Sequence, residues 1–166
     1  MRILGIDPGT ARFGYGIIDA DDTYVAIDYG VITTSNDVPM PLRLLELYSS
    51  LEVLIAEHAP TVMAIEQLFF SRNVTTAIAV GQARGVALLA GAKIGMTVTE
   101  YTPAEIKQAI SGYGNADKQQ VQAMVQILLD LETIPHPDDA ADALAVALCH
   151  GQSRAFIERT SMGGLT

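Results

Sequence analysis

The first 33 residues, MRILGIDPGTARFGYGIIDADDTYVAIDYGVIT, decide the fold because they hold three successive strand patterns joined by short turns. Residues 2–7 (RILGID) are typical of a buried strand that ends in a turn, and residues 14–19 and 24–33 predict two more strands. Asp21 and Asp22 lie between the last two strands, where a hairpin needs turn-forming residues. The chain is therefore expected to begin with an antiparallel meander.

Beyond the meander, helical and strand patterns alternate. Helical spacing of apolar residues predicts a helix over 41–57, and TVMAIE at 61–66 predicts a buried strand. An Ala- and Gly-rich helix over 74–92 and a short strand at 96–100 follow. Three more helices are predicted, which begin at the capping box of Thr102–Glu105, near Asp117, and near Asp138 with an end near Cys149.

This order predicts an α/β fold of the ribonuclease H-like type, with a mixed five-stranded sheet flanked by helices on both faces. A length of 166 residues suits one domain. We therefore predict a single domain over residues 1–152. Residues 153–166 are weakly patterned, and we expect them to form a weakly ordered C-terminal tail.

Composition limits the class of protein. The single cysteine excludes an intramolecular disulfide framework, the start of the chain lacks a signal-peptide pattern, and no apolar run of about 18 residues predicts a membrane span. These features together predict a cytoplasmic protein. The net charge of −9 taken alone argues against nucleic-acid binding, although the ten cations would suffice if they shared one face.

Carboxylates follow two of the predicted strands and one helix start. Asp7 closes the first strand, where it either forms the turn or stands at the strand end that α/β proteins use for chemistry. Glu66 follows an apolar strand, so it either reaches solvent or needs a partner. Asp138 and Asp139 suit a helix N-terminus, but Asp142 lies deeper and needs a compensating group.

If these elements converge, the carboxylates repel one another and require a cation. An all-oxygen ligand set without Cys or His favours Mg²⁺ or Mn²⁺ over Zn²⁺. Two such ions would activate water and stabilise the leaving oxygen of a phosphodiester.

Three blocks of the sequence together resemble the RuvC-type Holliday-junction resolvases. They are IDPGTARFGYGII at 6–18, AIEQLFFSRNVTTAIAVGQARGV at 64–86 and PDDAADALAVALCH at 137–150. The resemblance implies that Asp7, Glu66, Asp139 and Asp142 are both catalytic residues and metal ligands. Asp138 is then an extra neighbour, although a pairing of Asp138 with Asp142 stays open.

The resemblance also implies DNA-binding side chains. Phe69 would stack on bases near the junction centre unless it belongs to the core, and Lys107 and Lys118 would contact phosphates unless they are solvated surface lysines. Arg72 and Asn73 are further DNA-binding candidates. Arg84 is either another candidate or the partner of a carboxylate.

The activity implied is a metal-dependent endonuclease that resolves four-way DNA junctions by paired symmetric nicks in recombination and repair. The implied partners are the junction, a second copy of the chain and a branch-migration motor, with no membrane. The dimer interface would use either the Ala/Gly-rich helix or the helix of residues 41–57.

Two alternative functions are a ribosomal RNA maturation nuclease and a non-catalytic junction-binding module. An actin-like ATPase is disfavoured because the chain lacks a second phosphate loop.

Overall fold

The computed structural model describes residues 1–67 and 74–162, with side chains as far as residue 154. The strands in this part of the chain form one sheet in the order β3-β2-β1-β4-β5. Strands β1, β2 and β3 are antiparallel, whereas β4 and β5 run parallel to β1. The predicted mixed five-stranded sheet is therefore confirmed. The strands are β1 (Arg2–Asp7), β2 (Arg12–Ala20), β3 (Tyr24–Thr33), β4 (Val62–Glu66) and β5 (Thr97–Tyr101).

Helices cover both faces of this sheet, as predicted. Successive strand residues point to opposite faces, so that Ile3 and Ala64 pack with α3, α4 and α5, and Leu4 and Ile65 pack with α1 and α2. Each face thus has its own apolar core. The helices are α1 (Met40–His58), α2 (Val74–Lys93), α3 (Pro103–Ser111), α4 (Lys118–Leu128) and α5 (Asp138–Met162).

The start points of α3 and α4 are set by side-chain caps. Thr102 and Glu105 form a capping box at α3, and Asp117 and Gln120 form one at α4. Each box satisfies backbone N–H groups that a helix start otherwise leaves without partners. The second box fixes Lys118 as the first residue of α4.

Helix α5 is longer than the sequence pattern predicted. It passes the expected end near Cys149 and continues to Met162. Gly151 lies inside the helix because it packs beside Tyr24, where an added Cβ would meet the ring at 2.7 Å. A helix-breaking proline is also missing from this stretch. The predicted boundary at residue 152 falls within α5, so the division into a domain and a tail stays a prediction.

Two glycines let α5 approach the sheet closely. A Cβ at Gly5 of β1 would lie 2.1 Å from the Ala143 carbonyl oxygen, and a Cβ at Gly14 of β2 would lie 2.1 Å from the Asp139 carbonyl oxygen. No side chain fits at these distances. The first turns of α5 therefore rest directly on the ends of β1 and β2.

Helix α2 is apolar but lies largely at the surface. By length and composition alone it qualifies as a candidate membrane span, with a mean hydropathy of 1.3. Only 28% of that stretch is buried. Its packing against α1 and β5 places it as a sheet-covering helix with an exposed apolar face.

Candidate active site

Asp7 and Glu66 lie at the same edge of the sheet. Strands β1 and β4 are parallel neighbours with Ile6 opposite Ile65, and the two carboxylates follow directly at the carboxyl ends of these strands. Both side chains are half-buried. The interpretation of Glu66 as a solvent-facing strand end is therefore not supported.

Helix α5 brings two more carboxylates to this edge. Asp139 and Asp142 are one turn apart near its start, and the close contact at Gly14 holds this turn against β2. Both are half-buried, whereas the neighbouring Asp138 is exposed. We call Asp7, Glu66, Asp139 and Asp142 the carboxylate cluster.

The electrostatics of the cluster show that its members lie close together. Burial, followed by the charges of Glu66, Asp142 and Asp139, raises the pKa of Asp7 to about 7, although Lys118 opposes the shift. Burial, followed by the charge of Asp142, raises the pKa of Glu66, while Lys107 opposes the shift. Burial also raises the pKa of Asp142 despite its bond to Lys118. These shifts are the signature of carboxylates that lack sufficient positive charge around them.

Lys118 supplies part of that positive charge. Its Nζ donates to Oδ2 of Asp142 at 2.9 Å and lies 3.3 Å from Oδ2 of Asp138. Burial lowers the pKa of Lys118, but the hydrogen bonds and charges of Asp142 and Asp138 outweigh this effect and raise it overall. Lys118 is therefore the compensating group that the sequence required for Asp142.

Arg12 forms an ion pair with Asp139, another member of the cluster. Its Nε and Nη2 both lie 2.7 Å from Oδ2 of Asp139, which joins the start of β2 to the start of α5. No local sequence pattern marks Arg12 as a site residue. The two residues are 127 positions apart, and only the packing of α5 on β2 brings them together.

The four carboxylates of the cluster are suitable ligands for a divalent metal ion, but their side chains are not positioned to bind one together. Among the described side chains, no three Asp, Glu, His or Cys residues come close enough together to hold a metal ion. Asp139 and Asp142 are instead turned toward Arg12 and Lys118. The all-oxygen donor set and the raised pKa of Asp7 fit Mg²⁺ or Mn²⁺, provided that these two carboxylates turn toward Asp7 and Glu66.

A cleft of about 270 Å³ opens beside the cluster. Its polar rim carries Glu66 and Asp142 together with Lys107 of α3 and Lys118 of α4. Two lysines beside an acidic site are suited to hold a phosphate-bearing ligand against the carboxylates. The cleft floor is apolar and consists of Pro103, Ile106, Val121, Ala145 and Val146.

The other predicted binding residues have different outcomes. Phe69, Arg72 and Asn73 lie outside the described residues, so their predicted roles stay predictions. Arg84 forms an ion pair with Glu100 of β5, which confirms the alternative that it pairs with a carboxylate.

A buried arginine that was not among the predicted site residues supports the loop after Asp7. Arg43 of α1 is 7% exposed, and its Nε donates to Oγ1 of Thr34 at 2.8 Å. Thr34 in turn donates to the carbonyl of Thr10 at 2.6 Å. A charged residue at an apolar helix position was the available signal, because buried arginine is rare without a structural reason.

Comparison with known proteins identifies the family. The family model described as "Crossover junction endodeoxyribonuclease RuvC" matches residues 3–150. The chain belongs to the RuvC family. The Crossover junction endodeoxyribonuclease RuvC of Desulfitobacterium hafniense (strain DSM 10664 / DCB-2) is 56% identical over 165 residues, which cover 99% of both chains.

Solved structures of the RuvC family share the fold. The RuvC structure of Thermus thermophilus matches with a TM-score of 0.88 and 32% identity, over 94% of this chain and 96% of that one. The T. thermophilus RuvC in complex with a Holliday junction substrate matches with a TM-score of 0.87 and 30% identity, over the same shares. The predicted ribonuclease H-like fold and the resemblance to the RuvC-type resolvases are both confirmed.

Proposed function

We propose that this RuvC-family chain resolves four-way DNA junctions by metal-dependent hydrolysis of phosphodiesters, in recombination and repair. The observation that carries the proposal is the convergence of Asp7, Glu66, Asp139 and Asp142 at one sheet edge, beside Lys107 and Lys118. Family membership favours this activity over ribosomal RNA maturation. A non-catalytic junction-binding module is the alternative that experiment must exclude.

The lysines and the carboxylates of the site have different proposed roles. The two lysines at the rim of the cleft hold backbone phosphates and offset the charge that builds up on the scissile phosphate. The carboxylate cluster binds Mg²⁺ or Mn²⁺, and two ions per site are expected. When bound, these ions supply an activated water and a counter-charge for the leaving oxygen. Arg72, Asn73 and Phe69 are proposed to contact DNA at the junction.

The test is cleavage of a synthetic mobile four-way junction. Wild-type protein should nick the junction in Mg²⁺ or Mn²⁺, stay inactive in EDTA and leave a linear duplex of the same sequence intact. Asp7→Asn should bind the junction without cutting it. Asp22→Asn removes an exposed carboxylate at the opposite end of the sheet and should cut normally. Junction binding without cleavage in either metal would replace the enzyme with a binding module.

We further propose a homodimer that uses the exposed face of α2. Val74, Ile78 and Leu89 are large apolar residues on this face, with exposed fractions of 68%, 59% and 61%. Gly85 lies on the same stripe, where an added Cβ would meet nothing within 4 Å. An exposed and mostly apolar helix face of this kind is typical of a protein interface. A two-fold dimer would present two sites to a two-fold junction.

The cellular setting is proposed from the same relationships. A cytoplasmic location is supported by the single cysteine, which excludes an intramolecular disulfide, and by the proposed DNA substrate. The branch-migration motor is a proposed partner on the basis of family membership. Co-purification of the chain with such a motor on junction DNA would test this partnership.

A further inference from the structure

Asp138 is not one of the four residues of the carboxylate cluster, yet it contacts a residue of the site. Its side chain is 56% exposed, and Oδ2 lies 3.3 Å from Nζ of Lys118. The same Nζ donates to Asp142 at 2.9 Å. Lys118 thus bridges two carboxylates one helical turn apart, of which only Asp142 belongs to the cluster.

A divalent cation at the cluster competes with Lys118. Both need Asp142, and two cations on one carboxylate repel each other strongly at the short distances of a half-buried site. Once the cation takes Asp142, Lys118 has to move. Without a second partner its flexible side chain would extend into solvent, away from the cleft that it lines.

The geometry points to a specific solution. We propose that Asp138 is the alternative partner of Lys118, which retains the lysine beside the cleft when a divalent cation takes Asp142. The transfer is short, because Nζ already lies 3.3 Å from Asp138 and the capping box at Asp117 fixes the start of α4. Asp138 is a positioning residue, and this role rests on the proposed function in that a cation binds Asp142.

The arrangement distinguishes Asp138 from a fifth ligand. Asp138 is exposed, whereas the four members of the cluster are half-buried. The charges of Glu66, Asp142 and Asp139 all act on Asp7, and Asp138 is not among the groups that do so. The charge of Asp138 acts on Asp142, and its carboxylate contacts Lys118 at the exposed end of the cluster.

The test is a calorimetric Mn²⁺ titration of the full-length, DNA-free protein. Asp138→Asn leaves Lys118 with Asp142 alone, so the cation has to displace the lysine into solvent. Mn²⁺ affinity should then fall about tenfold, the lower end of the loss that follows when the surroundings of a metal ligand are changed. Lys118→Met removes the competitor, so Mn²⁺ affinity should rise. In the Lys118→Met background, Asp138→Asn should have no further effect. Asp138→Glu should restore the wild-type value, and Asp22→Asn should match wild type.

Equal losses from Asp138→Asn with and without Lys118 would overturn the inference, because Asp138 would then act as a ligand or as a general charge. No loss in either background would overturn it as well. A second readout is single-turnover junction cleavage at saturating Mn²⁺, which should be slower in Asp138→Asn and normal in Asp138→Glu. Unchanged cleavage in Asp138→Asn would contradict the retention of Lys118.

The Mn²⁺ titration also distinguishes a failure of the proposed function from a failure of the role of Asp138. If Asp7→Asn bound Mn²⁺ as tightly as wild type, the carboxylate cluster would not be the metal site. That outcome would remove the proposed function whatever Asp138 does. A normal loss in Asp7→Asn with equal losses from Asp138→Asn in both Lys118 backgrounds would overturn only the role of Asp138.

Discussion

At the scale of single residues, the carboxylate cluster opposes folding when no metal is bound. Asp7 carries the clearest sign, since burial and three neighbouring carboxylates raise its pKa from 3.8 to about 7. A carboxyl group with a raised pKa in the folded state destabilises the fold above that pKa, where it is ionised in both states. Below its unfolded pKa this penalty disappears.

Asp7→Asn should therefore stabilise the metal-free protein. At pH 8 in EDTA the melting temperature should rise by about 3 °C or more, because roughly 1 kcal/mol shifts a protein of this size by about 2–4 °C. The gain should shrink as the pH falls through 7 and vanish near pH 4. Thermal unfolding at several pH values measures this effect, with Asp22→Asn as the control. An equal gain at pH 8 and pH 4 would contradict the electrostatic origin.

In Mg²⁺, wild type should have a higher melting temperature than Asp7→Asn, the reverse of the order expected in EDTA. Ligand binding to the folded state raises its stability, so Mg²⁺ should raise the melting temperature of wild type and leave that of Asp7→Asn nearly unchanged. The same thermal scan with increasing Mg²⁺ provides the measurement. A similar rise in both proteins would place the metal elsewhere.

Sequence reasoning identified the carboxylates and Lys118, but neither Arg12 nor the ion pairs that Arg12 and Lys118 form with Asp139 and Asp142. Asp7, Glu66 and Asp142 stand out because charged residues follow or interrupt apolar stretches. Lys118 and Arg12 lie at helix and strand starts, where cations are common on any surface. Their partners depend on how α5 packs against α4 and β2, which no local pattern encodes.

At the scale of elements, the contact between α5 and the sheet positions half of the cluster. Gly14→Ala would place a methyl group 2.1 Å from the Asp139 carbonyl oxygen, so the start of α5 has to move. We expect a loss of about 1–3 kcal/mol in unfolding free energy, typical of overpacking, together with strongly reduced cleavage. Urea unfolding and junction cleavage measure both effects. Gly114→Ala is the control, because its nearest neighbour is 3.6 Å away. Unchanged cleavage in Gly14→Ala would contradict this account.

The exposed face of α2 gives a second prediction at this scale. Leu89→Glu should convert the dimer to a monomer, since a buried charge without a partner opposes association. Light scattering after gel filtration measures the mass. Leu45→Glu on α1 is the matched change, as Leu45 is similarly exposed at 59%, and it should leave the dimer intact. If Leu45→Glu dissociated the dimer and Leu89→Glu did not, the interface would be on α1 and the prediction for α2 would be wrong.

Element boundaries followed from the sequence wherever a local signal existed. The predicted capping box at Thr102 and the predicted cap at Asp117 correctly gave the starts of α3 and α4. The predicted end of α5 near Cys149 was wrong, because the residues after it are weakly patterned and the sequence does not reveal the contact of Gly151 with Tyr24. A glycine can end a helix or admit a close neighbour, and only the tertiary packing decides between these roles.

At the scale of the whole molecule, acidity limits how DNA is bound. The net charge is −9, and several described cations are already neutralised by carboxylates, as in the pairs Arg2–Asp19, Arg12–Asp139, Arg84–Glu100 and Lys93–Glu52. Few positive charges are then left to displace counterions from DNA. Junction affinity should depend only weakly on salt compared with a basic DNA-binding protein.

Lys107→Met should weaken junction binding and flatten its salt dependence. Loss of one phosphate contact lowers the slope of log affinity against log salt by about 1 for each protomer bound. Fluorescence anisotropy in Ca²⁺ at several salt concentrations measures the slope, with Lys93→Met as the control, because Lys93 is paired with Glu52. An unchanged slope in Lys107→Met would remove Lys107 from the DNA interface.

The most direct measurement of the central claim is the product formed from a supercoiled plasmid that extrudes a cruciform. If two carboxylate clusters cut a bound junction in paired symmetric fashion, incubation in Mg²⁺ should give linear plasmid within one binding event, and Asp7→Asn should give none. Nicked circular plasmid as the lasting product would mean uncoordinated cutting by single sites, and intact supercoiled plasmid would mean that the chain does not resolve junctions.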